Sequence, residues 1–395
     1  MNPNANKKVL IFPVWYGMGG STMYVGQYVS YLVTNNYEVQ VVCRKNDKGS
    51  NYLKNLGATT LHIGFPFTLN FTAQDEHNDN LKKRIIDIIK LFGGFFLSLV
   101  LILFYKPDIL IIGEFCEIPV LLSAYLLRKK SICFFQTSIS KAKWKRLVLF
   151  KLLKRVDQLV GITDLHTIDY PDKVKISTIP NCFSYKGLTS NINLIDQLNL
   201  SGNKVVLFMG GICETKGTKN FVEIALELLK LRSDLCFVIA GSYHKSFVTS
   251  LSIGENDAEF NYNKDVFDLI GSLIDTKFKF LGEINYVNDV LKQSDILIST
   301  NTYPHFSRPI VEAWANNIPV VSNEDVFTKH MCHNRESILL IDINQIEKSA
   351  QKINDFLNDQ KKIVTHKIEG FNNYKAFYSQ EVVNQALEKL FKTIV

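Results

Sequence analysis

The sequence has no Cys-x-x-Cys pair. Its seven cysteines, Cys43, Cys116, Cys133, Cys182, Cys213, Cys236 and Cys332, are odd in number and scattered. That argues against a zinc ribbon or a disulfide frame and reads as buried thiols in a reducing compartment. His330, Cys332 and His333 stand close together, but three donors without a fourth read as a plain loop rather than a metal site. No cleavable leader opens the chain, because 1–8 runs directly into the short apolar run Val9 to Phe12, so a cytoplasmic protein is expected. The longest uncharged apolar run, Leu91 to Tyr105, falls short of the ~20 residues of a spanning helix. It reads as a buried crossover helix, with a lipid-touching helix as the alternative. Acids are also missing where Lys141, Lys143, Lys145, Arg146, Lys151, Lys154 and Arg155 crowd together around Trp144 and Phe150. That stretch is the local basic feature to explain, within a net charge of +7. No nucleic-acid recognition module accompanies it, so nucleic acid is not an expected partner.

What is present is an ordinary globular composition, 46% apolar and 21% charged, in 395 residues, which is more than one core usually serves. KKVLIFPVW reads as a strand, GMGGS as a glycine turn, Met23 to Thr34 as a helix and EVQVVCR as a second strand. This order opens a parallel, doubly wound sheet. The same grammar restarts with KVVLFMGGI, an amphipathic helix from Phe221 to Leu231, and LCFVIAGS. The expected fold is therefore α/β with two Rossmann-like domains facing a cleft. Their boundaries are read at 1–183 and 204–377, with a polar linker at 184–203 and a C-terminal helix at 378–395 crossing back to the first domain.

Three local patterns carry chemistry. Gly19 and Gly20, between a strand and a helix, offer unhindered amides and a helix dipole to an anion, although the spacing is not that of the dinucleotide fingerprint. In GGICETKG, Lys216 follows a strand end and precedes a helix, where an ammonium would neutralise a diphosphate; an exposed surface lysine is the equal alternative. The segment Asn301 to Ser322 is the most informative. An apolar strand ends in a polar loop, and a helix starts at Arg308 or Pro309, so that His305, Phe306, Ser307 and Arg308 sit at a helix N-terminus that favours phosphate. Glu312, one turn on, suits two ribose hydroxyls or else simply stabilises the first turn.

These residues resemble the family-4 retaining glycosyltransferases, of the glycosyl transferases group 1 type, which have the GT-B fold. Phe306, Glu312, Ala313, Ala315, Pro319, Val320 and Val321 follow the family's pattern around its E-x7-E motif, and Lys216-Gly217 matches its lysine. LGEINYVNDVLKQSDILIST, ISTIPNC and GGSTMYVGQYVSYLVTNNYEVQVV resemble further family segments, so the likeness covers nearly the whole chain. Three positions depart from it. Pro304 replaces the first glutamate, Gly211 the arginine before the lysine, and Gln136 to Ser138 hold no histidine. The resemblance implies retaining transfer of a sugar from a UDP- or GDP-sugar to a saccharide or lipid-linked saccharide, in bacterial surface polysaccharide synthesis. A non-catalytic sugar-nucleotide-binding subunit and a same-fold epimerase are the alternatives. Lys216, Arg308 and Glu312 are the implied catalytic set, with His305, Phe306, Ser307, Gly19 and Gly20 on the donor and Glu114, Glu117 and Thr137 as acceptor-side candidates. There is no Asp-x-Asp pair, so no metal and no cofactor are implied. The basic stretch then reads as contact with an anionic inner leaflet through Lys141, Lys143, Trp144, Lys145 and Arg146.

Overall fold

The computed structural model describes residues 7–12, 19–69, 71, 81–137, 139, 142–166, 175–183, 193–243, 258–284 and 286–394. The chain divides into two compact units, one formed by Met1–Cys182 with Val383–Val395 and the other by Phe183–Val382.

Among the described residues the first unit has a seven-stranded sheet built from β1 (Lys8–Phe12), β2 (Glu38–Cys43), β3 (Thr59–His62), β4 (Ile109–Ile112), β5 (Ser131–Phe135), β6 (Gln158–Gly161) and β7 (Ile176–Thr178). The order is β3-β2-β1-β4-β5-β6-β7, and every neighbouring pair is parallel. Parallel strands need crossovers, and α1 (Gly20–Thr34), α2 (Lys48–Asn55), α3 (Leu81–Tyr105), α4 (Ile118–Leu127) and α5 (Lys143–Leu153) supply them. Both sheet faces are covered, which is why ILII and SICFF read as unbroken apolar runs. Leu10, Phe12, Cys133 and Phe135 face the core shared with α3, α4 and α5. Between Cys133 and Phe135 in β5, Phe134 turns the other way, as strand alternation requires, and meets Tyr24 of α1 at 5.2 Å. Tyr24 donates to the Ile179 carbonyl at 3.0 Å, so its buried hydroxyl is satisfied. The returning C-terminal segment completes this unit: Phe391 stacks on Tyr31 at 5.7 Å, and Lys130 donates to the Ile394 carbonyl at 3.0 Å.

The second unit holds α6 (Leu194–Gln197), β8 (Lys204–Met209), α7 (Thr218–Leu231), β9 (Leu235–Ala240), α8 (Ala258–Ile270), β10 (Phe278–Gly282), α9 (Val287–Lys292), β11 (Ile296–Ser299), α10 (Arg308–Ala315), β12 (Val320–Asn323), α11 (Val326–Met331), β13 (Leu339–Ile341), α12 (Ile346–Asn358) and α13 (Gln360–Phe377), with α14 (Gln380–Ile394) leading back to the first unit. Its parallel sheet runs β10-β9-β8-β11-β12-β13 among the described residues. Phe208, Phe221, Phe237 and Phe278 form a continuous aromatic file through its core. The stretch read as a linker is partly structured: 184–192 lies outside the described residues, but Leu194 and Leu200 are buried and Leu194 N donates to Gln293 Oε1 at 2.7 Å.

One expectation needs correction. The run Leu91 to Tyr105 is part of the 25-residue helix α3 and is not a buried crossover helix. It packs one face on α4 and the sheet, while Phe92, Phe96, Val100, Leu103 and Phe104 are exposed. Periodicity could not reveal this, because both faces of the helix are apolar.

Candidate functional site

In each sheet the chain order reverses at one place, between β1 and β4 and between β8 and β11, and loops part there at the strands' carboxyl ends. The predicted residues gather at these two places.

In the second unit β8 leads into Gly210 and Gly211. Gly211 has φ +67°, a Cβ there would collide with the Ser242 carbonyl, and its amide donates to Ala240 O at 3.0 Å. An arginine side chain has no room at this position, which gives a steric reason for the departure seen in the sequence. A short turn at Glu214–Lys216 follows, closed by Gly217 at φ +70°. A Cβ on Gly217 would run into the Thr300 carbonyl, and Thr300 Oγ1 donates to Gly217 O at 2.8 Å. Glycine is therefore required at 217, and through it the Lys216 turn is held against the end of β11.

Lys216 Nζ lies 2.6 Å from His305 Nε2, and His305 Nδ1 lies 2.6 Å from the Tyr303 carbonyl. A carbonyl only accepts, so Nδ1 carries the ring proton and Nε2 accepts from the ammonium. Burial lowers the pKa of Lys216 from its ordinary value. The result is a desolvated cation aimed by a neutral imidazole.

Helix α10 starts at Arg308 with Pro309 in its first turn, and Ser307 Oγ sits 3.4 Å from Ser299 Oγ. Arg308 Nε lies 2.7 Å from Glu312 Oε1, one turn along the same face. The contact pairs two largely buried opposite charges. Burial raises the pKa of Glu312, and the Arg308 charge opposes that rise. Phe306 is buried, with its ring 5.9 Å from Tyr378, so it anchors the loop and does not present a face to solvent. Pro304 is exposed where the resemblance would place a carboxylate. Lys216, His305, Ser307, Arg308 and Glu312 thus share one end of this sheet.

In the first unit Glu114 and Glu117 are buried just past β4. The Glu114 carboxylate accepts from Gln136 N at 3.0 and 3.2 Å, and Glu117 Oε2 accepts from Gly113 N at 3.0 Å. Burial raises both pKa values well above the ordinary 4.5, and the Glu114 charge adds to the rise at Glu117. Thr137 Oγ1 is buried beside them, and hydrogen bonding from Thr137 to Glu114 opposes the rise there. In the sequence Gln136 stands out only as the absence of a histidine. In the structure it is the hub: its Nε2 donates to Gly113 O at 3.0 Å, and Ser21 Oγ donates to its Oε1 at 2.5 Å. Its place immediately after β5, beside the order reversal, was the available signal. Gly19 and Gly20 are exposed at the start of α1, and a Cβ at either would meet nothing within 4 Å among the described residues. Packing among those residues does not require glycine there, and close approach of a ligand is a reason for it.

Other sequence candidates lie elsewhere. His333 stacks on Phe377 at 3.6 Å, and burial pushes the Cys332 thiol up to about 12, so this loop is used in packing. Lys143 and Trp144 are exposed on α5, Lys145 lies over Phe71, Arg146 lies over Phe150, and Lys141 is outside the described residues.

Known proteins resemble the chain most clearly in the second unit. The family model of glycosyl transferases group 1 matches residues 191–369, the span that contains Lys216, His305, Arg308 and Glu312. A 2-deoxystreptamine N-acetyl-D-glucosaminyltransferase of Niallia circulans is 25% identical over 223 residues, covering 52% of this chain and 52% of the relative. A UDP-Gal:alpha-D-GlcNAc-diphosphoundecaprenol alpha-1,3-galactosyltransferase of Escherichia coli is 26% identical over 270 residues, 62% of this chain and 64% of the relative. The chain therefore spans between half and two thirds of the length of these curated relatives. The crystal structure of Anabaena HepE in complex with UDP-glucose has a TM-score of 0.75 to this chain at 15% identity, covering 98% of this chain and 99% of that one; the likeness is one of fold. Residues 191–369 thus match the glycosyl transferases group 1 family, in a chain with the two-sheet α/β fold of the GT-B glycosyltransferases.

Proposed function

We propose that this chain is a retaining glycosyltransferase that moves a sugar from a UDP- or GDP-sugar to a saccharide, free or carried on a lipid, in bacterial surface polysaccharide synthesis on the cytoplasmic side of the membrane. The observation that carries this reading is the grouping of Lys216, His305, Arg308 and Glu312 at the carboxyl ends of β8 and β11, inside the matched domain. A nucleoside diphosphate-sugar presents two phosphates, a ribose and a sugar ring. The Lys216 ammonium suits the diphosphate, because a desolvated cation stabilises charge that develops on the leaving oxygen. Arg308 and Glu312 supply a cation for phosphate and a carboxylate for hydroxyls. The bond from the anomeric carbon to the phosphate oxygen breaks, the bond to the acceptor oxygen forms on the same face, and the acceptor's proton passes to the departing diphosphate. Such a step asks the protein for positioning and charge stabilisation. Glu114 and Glu117, which are buried, and the half-buried Gln136 support the acceptor reading, as hydrogen-bonded groups just past the carboxyl ends of β4 and β5 in the first sheet. The UDP-sugar donor and lipid-diphosphate acceptor named for the E. coli relative, and the UDP-glucose of HepE, favour UDP over GDP.

The experiment is incubation of the full chain with UDP- and GDP-sugars, binding being followed by calorimetry and the anomeric configuration of product or slow hydrolysis product by NMR. Binding with transfer or hydrolysis that keeps the configuration is expected. Inversion removes the retaining assignment, binding without turnover favours a sugar-nucleotide-binding subunit, and no binding at all overturns the reading.

A further inference from the structure

Helix α3 is apolar on both faces, and only one is covered. On the inner face Gly94 lets Pro119 approach closely, Ser98 and Ser123 share a hydrogen bond at 2.7 Å, and Leu101 and Ile102 enter the core. On the outer face Ile85, Ile89, Phe92, Phe96, Val100 and Leu103 recur every three or four residues, each 51–61% exposed. That spacing makes one stripe roughly 27 Å long at 1.5 Å per residue. Soluble monomers rarely leave so extended an apolar surface bare. The segment Ile85–Tyr105 is long and apolar enough to cross a bilayer. Crossing would strip Leu101 and Ile102 from the core, so the packed face excludes a span and leaves an orientation along a surface.

The neighbouring helices identify that surface. Helix α3 packs on α4 and α4 on α5. Helix α5 exposes Trp144 and Leu147 at 61% and 71%, with Lys143 and Lys151 exposed alongside. No acidic residue occurs from 138 to 156. An apolar stripe on α3, with exposed cations and an exposed indole on α5 one helix away, is complementary to a lipid monolayer with anionic headgroups. The same face of a second copy of this chain would offer the α5 cations only like charge. We propose that the bare face of α3 lies embedded in one leaflet of an anionic membrane, with Trp144 at headgroup depth and the α5 cations on the lipid phosphates. The contact rests on the first unit alone and does not depend on the sugar-transfer reading.

The test is co-sedimentation of the full chain with phosphatidylglycerol–phosphatidylcholine vesicles and with phosphatidylcholine vesicles alone. The parent chain is expected to bind the anionic vesicles, with a blue shift of Trp144 emission, and to stay largely bound when salt is raised, since inserted apolar surface is not screened. Phe92→Ser with Phe96→Ser should lower the vesicle partition coefficient by about a hundredfold while melting is unchanged. Val100→Ser with Leu103→Ser gives an independent second reading of the same stripe. Equal binding by parent and both variants would overturn the proposal in favour of a purely electrostatic contact through α5. A parent that ignores vesicles but self-associates, and becomes monomeric on substitution, would assign the stripe to a second copy instead.

Discussion

The Arg308–Glu312 ion pair gives a quantitative prediction. Opposite charges 2.7 Å apart attract by about 6 kcal/mol at an effective dielectric constant near 20. Several kcal/mol of desolvation per ion offset that attraction, because the side chains are only 17% and 6% exposed. Glu312→Gln leaves the guanidinium facing an amide, and should cost about 3 kcal/mol of stability in the second unit. Arg308→Met leaves a buried carboxyl whose pKa, already raised by burial, rises further. Its folded state then binds a proton that the unfolded state releases, so the cost is absent at acidic pH and grows as pH rises towards the folded-state value. The double variant removes both charges together, and the coupling energy should be about 3 kcal/mol or more, close to the sum of the single losses. Trp314 provides the assay. It is fully buried two residues beyond Glu312 and donates to the Ser337 carbonyl at 2.8 Å, so its emission in urea reports the second unit when Trp15 and Trp144 are replaced by phenylalanine. A double variant whose loss equals the sum of the single losses would refute the pairing. Because a buried pair contributes little net stability, the double variant should fold well yet lose donor use; retained turnover would show that the pair is structural only.

Three further outcomes are expected. Lys216→Met should lower kcat/KM by about a hundredfold with little change in melting, and the parent's activity should fall with rising pH below the ordinary lysine value of 10.5, since burial lowers this ammonium's pKa. Pre-steady-state and steady-state kinetics check both, and an alkaline profile identical in Lys216→Arg would sink the assignment. Glu114→Gln should flatten the loss of first-unit stability as pH rises above 4.5, because a buried carboxyl with a raised pKa stabilises the fold only while protonated; unfolding curves across pH are the measurement, and an unchanged slope counts against it. Gly217→Ala should cost about 2–4 kcal/mol, from the left-handed backbone and the collision with the Thr300 carbonyl, as read from urea midpoints.

Much of the sheet order was legible because strands covered on both faces announce themselves as apolar runs between turn residues, as ILII and LCFVIA do. The start of α10 was legible from the proline after a polar loop. The contact between Lys216 and His305 was not, because it joins residues 89 apart and depends on a glycine that lets one loop touch another strand's end. Phe306 looked like part of the site from its neighbours in sequence, but an aromatic ring in a polar loop is driven into the nearest core, here Tyr378. Gln136 was read for what it replaced, whereas its amide can both donate and accept and so ties three segments together. The exposed side of α3 escaped because hydropathy measures what a side chain prefers, and the residues facing outward are the same types as those facing in.

The return of Val383–Val395 to the first unit has a consequence for biosynthesis. As the chain leaves the ribosome, the first sheet emerges early but lacks Phe391 for Tyr31, and the whole second unit is made before that ring arrives. Domains commonly fold in the order of their synthesis. Here the unit begun first is the unit finished last, so a nascent chain stalled or cleaved before residue 383 would carry a complete second unit and a first unit without its closing helix.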